Sequence, residues 1–142
     1  MLSKSKLLMQ VKIQRTQKVL VVDDDDDTRL AIRLALQEYE YLHVEVTESK
    51  DAASAVKLLN EIHPDIIILD LHLPDKSGFD VMDIIVKNKR FAQTHVIMIT
   101  ADNTIGNVFE AEARGIATNH FLGKPFNISD LQALVLNLSL SA

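Results

Sequence analysis

At 142 residues, 47% of them hydrophobic and 25% charged, the chain has the size and composition of one soluble globular domain with a single core. It has no cysteine, which excludes disulfides, thiolate chemistry and cysteine-type zinc sites and fits a reducing cytoplasm; no apolar run approaches the roughly 20 residues that a membrane span needs. The formal charge of -5 is uneven: Lys4, Lys6, Lys12, Arg15 and Lys18 stand in the first 18 residues without an acid, so the remaining body is strongly acidic, which argues against nucleic-acid binding by the domain itself.

Residues 1–17 read as a basic N-terminal extension and 18–142 as the domain proper. In the extension Met9, Val11 and Ile13 alternate with Gln10, Lys12 and Gln14, as in a half-buried strand. A short tail, an extra edge strand and a basic targeting segment all fit that pattern, whereas the interrupted apolar stretch makes a poor secretory signal.

From Lys18 onward short β-like runs alternate with helical patterns. Val19 to Val22 is a continuous apolar run that stops at Asp23, after which Ile32, Ala35, Leu36 and Tyr39 recur at helical spacing. Val44-Glu45-Val46 predicts a short alternating strand, and Ala52, Ala55, Val56, Leu59 and Ile62 a helix closed by Pro64. Ile66 to Leu69 is a second buried run, and it too ends at an aspartate, Asp70. Beyond a loop through Pro74 and Gly78, a third helical stripe takes in Phe79, Met82, Ile85 and Val86, and Val96 to Ile99 forms a third buried run ending at Thr100. A weaker helix with Ile105, Val108 and Phe109 ends near Gly115, Phe121-Leu122 is a short strand before Lys124-Pro125, and the last helix shows Ile128, Leu131, Leu134, Val135 and Leu138. Leu136 and Leu140 fall off that last stripe and mark either a dimer or partner face or simply a frayed terminus.

Five β–α units whose strands are apolar on both sides predict an α/β fold: a doubly wound, five-stranded parallel sheet with helices on both faces. Ligands of such a fold sit beyond the carboxyl ends of the strands. Those ends carry Asp23 and Asp24, Asp70, Thr100 and Lys124. Converging carboxylates repel one another, and a divalent cation relieves that repulsion; hard oxygen donors without sulfur point to Mg²⁺. A lysine and a hydroxyl beside a metal-bound carboxylate suit phosphoryl transfer, with an aspartyl phosphate as the product. Taken singly each residue has a plainer reading: Asp23 to Asp27 as a solvated loop, Asp70 as a turn residue, Thr100 as a cap, Lys124 as an exposed cation.

With these residues in order the chain resembles the response-regulator receiver family of two-component signalling over Lys18 to Leu140. The resemblance rests on Val19-Leu-Val-Val-Asp-Asp24, on Asp70-Leu-His-Leu-Pro74 followed by Gly78, on Met98-Ile-Thr-Ala101 and on Gly123-Lys-Pro-Phe126. It implies the flavodoxin/CheY-like strand order 2-1-3-4-5, with Asp70 as phosphoacceptor. It further implies Mg²⁺ held by Asp24, Asp70 and the backbone carbonyl of His72, with Asp23 acting through water. Lys124 would pair with the phosphate, Thr100 and the aromatic Phe121 would form the switch, and the Lys124–Pro125 peptide would be cis. The implied partners are a histidine kinase or histidine phosphotransfer protein and a downstream target protein, with a homodimer through the last helix as a further candidate. The implied setting is the cytoplasm. The domain would phosphorylate and dephosphorylate itself rather than release an external product, and the surface that changes would comprise the fourth helix, fifth strand and fifth helix. His72 and Asp102, two residues beyond Asp70 and Thr100, hold positions that tune phosphate lifetime in the family. The chain departs from the common pattern in a longer stretch from Thr100 to Lys124 and in Ala117, where a glycine often stands. Two other readings remain at this point: a phosphate-independent binding module on the same fold, and a metallo-phosphohydrolase, for which no cap over a substrate is evident. A flavodoxin-like flavin binder is rejected, because Asp23 to Asp27 would repel a phosphate.

Overall fold

Every residue of the strand Ile66–Leu69 is buried, and the architecture follows from covering that run on both faces. The computed structural model describes residues 3–4, 15–102, 104–115 and 120–140. Strands β1 (Gln17–Val22), β2 (Val44–Ser49), β3 (Ile66–Leu69), β4 (His95–Thr100) and β5 (Phe121–Gly123) are all parallel and lie in the order β2-β1-β3-β4-β5, as the alternation of runs predicts. Helices α1 (Asp26–Gln37), α2 (Ala52–Ile62), α3 (Gly78–Lys87), α4 (Ile105–Ala113) and α5 (Ile128–Leu140) connect and follow them.

Successive strand residues point to opposite sides, and the core divides accordingly. Leu20, Val22, Ile67, Leu69 and Met98 pack against Leu59 of α2 and Met82 of α3. Val19, Val21, Ile68, Ile97 and Ile99 pack against Ile32 and Leu36 of α1 and Leu131 and Val135 of α5. A hydrogen bond from Gln132 Nε2 to the Ala35 carbonyl, 2.8 Å, ties α5 to α1. At the sheet's edge β2 is only part-buried along most of its length, and its mixed apolar and polar sequence reflects that.

Several stripe residues fall elsewhere than the periodicity suggests. Tyr39 lies beyond the end of α1, which closes where the Glu38 amide bonds the Leu34 carbonyl, and it leans on the core from outside the helix. The buried face of α3 centres on Met82 and takes in Val81, which leaves Val86 on its rim at 55% exposure. On α4 it is Ala111 that is buried, and Phe109 stands 65% exposed. Ile128 is likewise exposed in the first turn of α5, while Leu136 packs partly buried against the core and Leu140 is half-buried, so neither is the bare face that its register suggests. The alternation at Met9, Val11 and Ile13, and Ala117, lie outside the described residues. Within the extension, Arg15 pairs with Asp65 at 2.6 Å.

One backbone contact governs the loop after β3. The Gly78 amide donates to the Leu71 carbonyl at 2.7 Å, and a Cβ on Gly78 would stand 2.2 Å from the carbonyl oxygen of Asp70. Gly78→Ala is therefore expected to destabilise the fold by about 1–3 kcal/mol, the usual range for overpacking, seen as a lower urea midpoint; an unchanged midpoint would mean that the loop shifts freely.

Candidate functional site at the carboxyl edge of the sheet

The ladder itself delivers the site. Beyond the formal strand ends the pattern continues: the amide of Asp23 bonds Ser49 O at 3.0 Å, that of Asp70 bonds Val22 O at 2.9 Å, and that of Lys124 bonds Thr100 O at 2.8 Å. Asp23, Asp70 and Thr100 are consequently all buried although they are polar. Lys124 Nζ donates to Asp23 Oδ2 at 2.5 Å and to Asp70 Oδ2 at 3.0 Å. Asp24 is exposed beside them, and one carboxylate oxygen from each of Asp23, Asp24 and Asp70 lies within 4.8 Å of the other two. The Lys124–Pro125 peptide is cis.

The acidic run separates into distinct tasks. Asp23 Oδ1 accepts from the Asp25 amide at 2.9 Å, and Asp25 caps α1 by accepting the Asp27 amide on Oδ1 at 3.4 Å, while its Oδ2 accepts from Thr28 Oγ1 at 2.5 Å. Asp26 pairs with Arg29, whose Nη1 also donates to the Asp23 carbonyl at 2.6 Å and whose Nε donates to Glu48 at 3.3 Å. Asp27 sits in the first turn of α1, where the helix dipole favours an anion. Arg29 was not singled out by the sequence, although its i,i+3 spacing from Asp26 in a helical first turn is the available signal.

On the other side of the cluster, Asp70 Oδ1 accepts from the His72 amide at 3.1 Å. The His72 side chain points outward, its Nε2 3.0 Å from Asp102 Oδ2, so the two residues meet across the ends of β3 and β4. Thr100 Oγ1 accepts from the Asp102 amide at 3.2 Å. Phe121 is half-buried against the core on the α2 and α3 side of the sheet. On the far side of Lys124 a groove of about 500 Å³ opens between the start of α1 and the loop after β5, lined by Thr28, Ala31, Pro125 and Ile128 among others.

Burial pushes the Asp23 carboxyl above its ordinary value; the Lys124 ammonium and the Asp25 amide pull it back down, and the charge on Asp70 adds to the rise. For Lys124, burial alone would depress the ammonium, but the two carboxylates outweigh it and hold the group above its ordinary value. The cluster is still two charges negative, three carboxylates against one ammonium. An all-oxygen donor set with excess negative charge fits a hard divalent cation such as Mg²⁺.

These shifts set the sign of the pH dependence. Asp23, raised in the folded chain, favours folding at acid pH, and that contribution is lost as pH rises through its folded value. Lys124, also raised, contributes stability through neutral pH that is lost only as pH climbs past its ordinary 10.5 and through its folded value. Lys124→Met leaves Asp23 and Asp70 facing each other uncompensated. It is expected to lower stability at pH 7 by about 2–3 kcal/mol, somewhat less than for a fully enclosed pair. The deficit should shrink toward pH 4 as Asp23, whose carboxyl burial holds above its ordinary value, takes up a proton. Urea titrations at the two pH values decide the matter, and a deficit independent of pH would refute the electrostatic account.

Comparison with known proteins points the same way. The family model described as the response regulator receiver domain matches residues 19–136. The chain is 31% identical over 122 residues to the two-component response regulator-like protein APRR7 of Arabidopsis thaliana, covering 84% of this chain and 16% of that one. It is 25% identical over 124 residues to chemotaxis protein CheY-3 of Vibrio cholerae, covering 87% of this chain and 92% of that one. The solved structure of the chemotaxis response regulator CheY4 of Vibrio cholerae superposes with a TM-score of 0.77 at 26% identity, over 87% of this chain and 99% of that one. Several relatives are much longer than the match: the chain spans 16%, 47% and 25% of the first three.

Proposed function

The chain belongs to the response-regulator receiver family, and from that premise we propose that residues 18–142 take a phosphoryl group from a phosphohistidine partner onto Asp70 in a Mg²⁺-dependent reaction and thereby switch a protein-binding surface. The observation that carries this reading is the single ammonium, Lys124 Nζ, held on both Asp23 and Asp70 beside the oxygen of Asp24. In the proposed reaction an Asp70 carboxylate oxygen attacks phosphorus in line. The O–P bond forms as the P–N bond to the donor imidazole breaks, and the electron pair stays on the imidazole nitrogen.

Asp24, Asp70 and the backbone carbonyl of His72 would hold the ion directly, and Asp23 through water. Bound there, Mg²⁺ supplies charge stabilisation to the phosphoryl oxygens. Lys124 swings from its carboxylate partners to a phosphoryl oxygen without leaving the cluster. Thr100 gives up the bond it accepts from the Asp102 amide and turns its hydroxyl to the phosphoryl group, and Phe121, half-buried against the core, follows it. The phosphoryl group shifts the population between two arrangements of α4, β5 and α5 rather than creating a new one. A histidine kinase or phosphotransfer protein would donate the group, with the groove beside Lys124 and Pro125 as its approach, and a target protein would read the altered surface. No helix among the described residues is long and apolar enough to cross a membrane, which accords with a cytoplasmic setting.

Incubation with acetyl phosphate followed by intact-mass measurement tests the reading. One phosphate should be gained with Mg²⁺ present, lost on chelation, and absent in Asp70→Asn. Absence of any gain in the wild-type chain would leave a phosphate-independent binding module in its place.

A further inference from the structure

The loop that follows Asp70 is fastened at two places, and the second lies away from the carboxylate cluster, on the start of α2. At its base the Gly78 amide bonds the Leu71 carbonyl, His72 and Ser77 form an antiparallel bridge, and the His72 amide bonds Asp70 Oδ1. At its apex Asp75 reaches to a different element. Its Oδ1 accepts from the amide of Ala52 at 2.8 Å and its Oδ2 from that of Ala53 at 3.0 Å, the first two residues of α2. Oδ1 also accepts from the Lys76 amide at 3.0 Å. Helix α2 already has a cap, Asp51, which takes the Ser54 amide at 2.8 Å. Asp75 therefore satisfies the helix amides that Asp51 leaves over.

Packing holds the loop at Leu73, which leans part-buried on the core, but not at its tip. Pro74, Asp75 and Lys76 are all exposed, and beneath them lies a small cavity of about 100 Å³ lined by Ala52, Val56, Asp75 and Ile84 among others. The amide bonds, those of Ala52 first, hold the Asp75 carboxyl below its ordinary value, so the tether stays charged across the neutral range.

We infer that Asp75 is a positioning residue: by hanging the loop from the N-terminus of α2 it fixes the direction of the His72 carbonyl toward the carboxylate cluster. The inference rests on the reading above, in which that carbonyl joins Asp24 and Asp70 around Mg²⁺. The base bonds set where the loop begins, and the apex limits the rotation of the peptides from His72 to Ser77, so without it the base bonds also open more often. Loss of the tether frees that rotation and leaves the carboxylate ligands in place. Removing a partner that orients a metal ligand weakens metal affinity by about 10–100-fold in general.

The test compares Asp75→Ala, Asp75→Asn and Asp51→Ala with the wild-type chain. Asp51→Ala removes the other cap of the same helix and controls for lost helix stability. Two readouts are taken: the Mg²⁺ dissociation constant by calorimetry, and amide hydrogen exchange at His72 and Gly78 by NMR. Asp75→Ala is expected to weaken Mg²⁺ binding by about tenfold, the low end of that range for one ligand among several, and to speed exchange at both amides. Asp75→Asn, which keeps one acceptor, is expected to fall between, and Asp51→Ala to change neither readout beyond its effect on unfolding. Wild-type affinity and exchange in Asp75→Ala would overturn the inference, as would equal losses in Asp51→Ala. A wild-type chain that binds no Mg²⁺ would overturn the functional reading alone, and the exchange comparison would still decide whether Asp75 positions the loop.

Discussion

Two carboxylates nearly shut off from water, Asp23 and Asp70, share one ammonium, and much of the surrounding structure serves to keep that arrangement in place. Like charges so placed are costly unless something compensates them. Lys124 does so in part. The ladder bonds that run past the ends of β1, β3 and β5 prevent the three residues from moving apart to relax. Arg29 on the Asp23 carbonyl and Gly78 against the Asp70 carbonyl lock the backbones from which the side chains hang. The cluster stores repulsion that a cation can release, which is why its oxygens remain a coherent donor set and do not disperse into solvent.

Much of the fold was legible because a covered parallel strand has no polar face to hide: Val19 to Val22, Ile66 to Ile68 and Val96 to Ile99 announce themselves as unbroken apolar runs. The strand-end residues were legible for a related reason, since a polar residue that abruptly closes such a run has to sit at the sheet's edge. The width of each helix's buried face was not. Val86 and Phe109 are as apolar as Val81 and Ala111, yet the first two are exposed and the last two buried, according to which side of each helix meets its neighbours. Periodicity reports an angle around the helix axis and says nothing about where along that angle the neighbour stands.

Within the candidate site, what the sequence left hidden are contacts made through the main chain. Arg29 on a carbonyl, Asp75 on two amides of another helix and the close approach at Gly78 involve backbone atoms, which every residue possesses and no residue type advertises. The pairing of His72 with Asp102 is similarly invisible, because it depends on two loops from neighbouring strands leaning toward each other.

The placement of Arg15 has an effect beyond its pairing with Asp65. It stands, with Lys18, at the amino ends of the strands, whereas Asp23 to Asp27, Asp51, Asp70 and Asp75 gather at or near the carboxyl ends. All five strands run the same way, so these two groups of charge lie at opposite poles of the molecule. Asp65 offsets Arg15 at the amino pole, while Lys124 and Arg29 offset only part of the acids gathered at the other, so the carboxyl pole is the more negative of the two. In an external field, such as that of a charged partner still several ångströms away, it will turn its acidic pole toward positive charge before any contact is made.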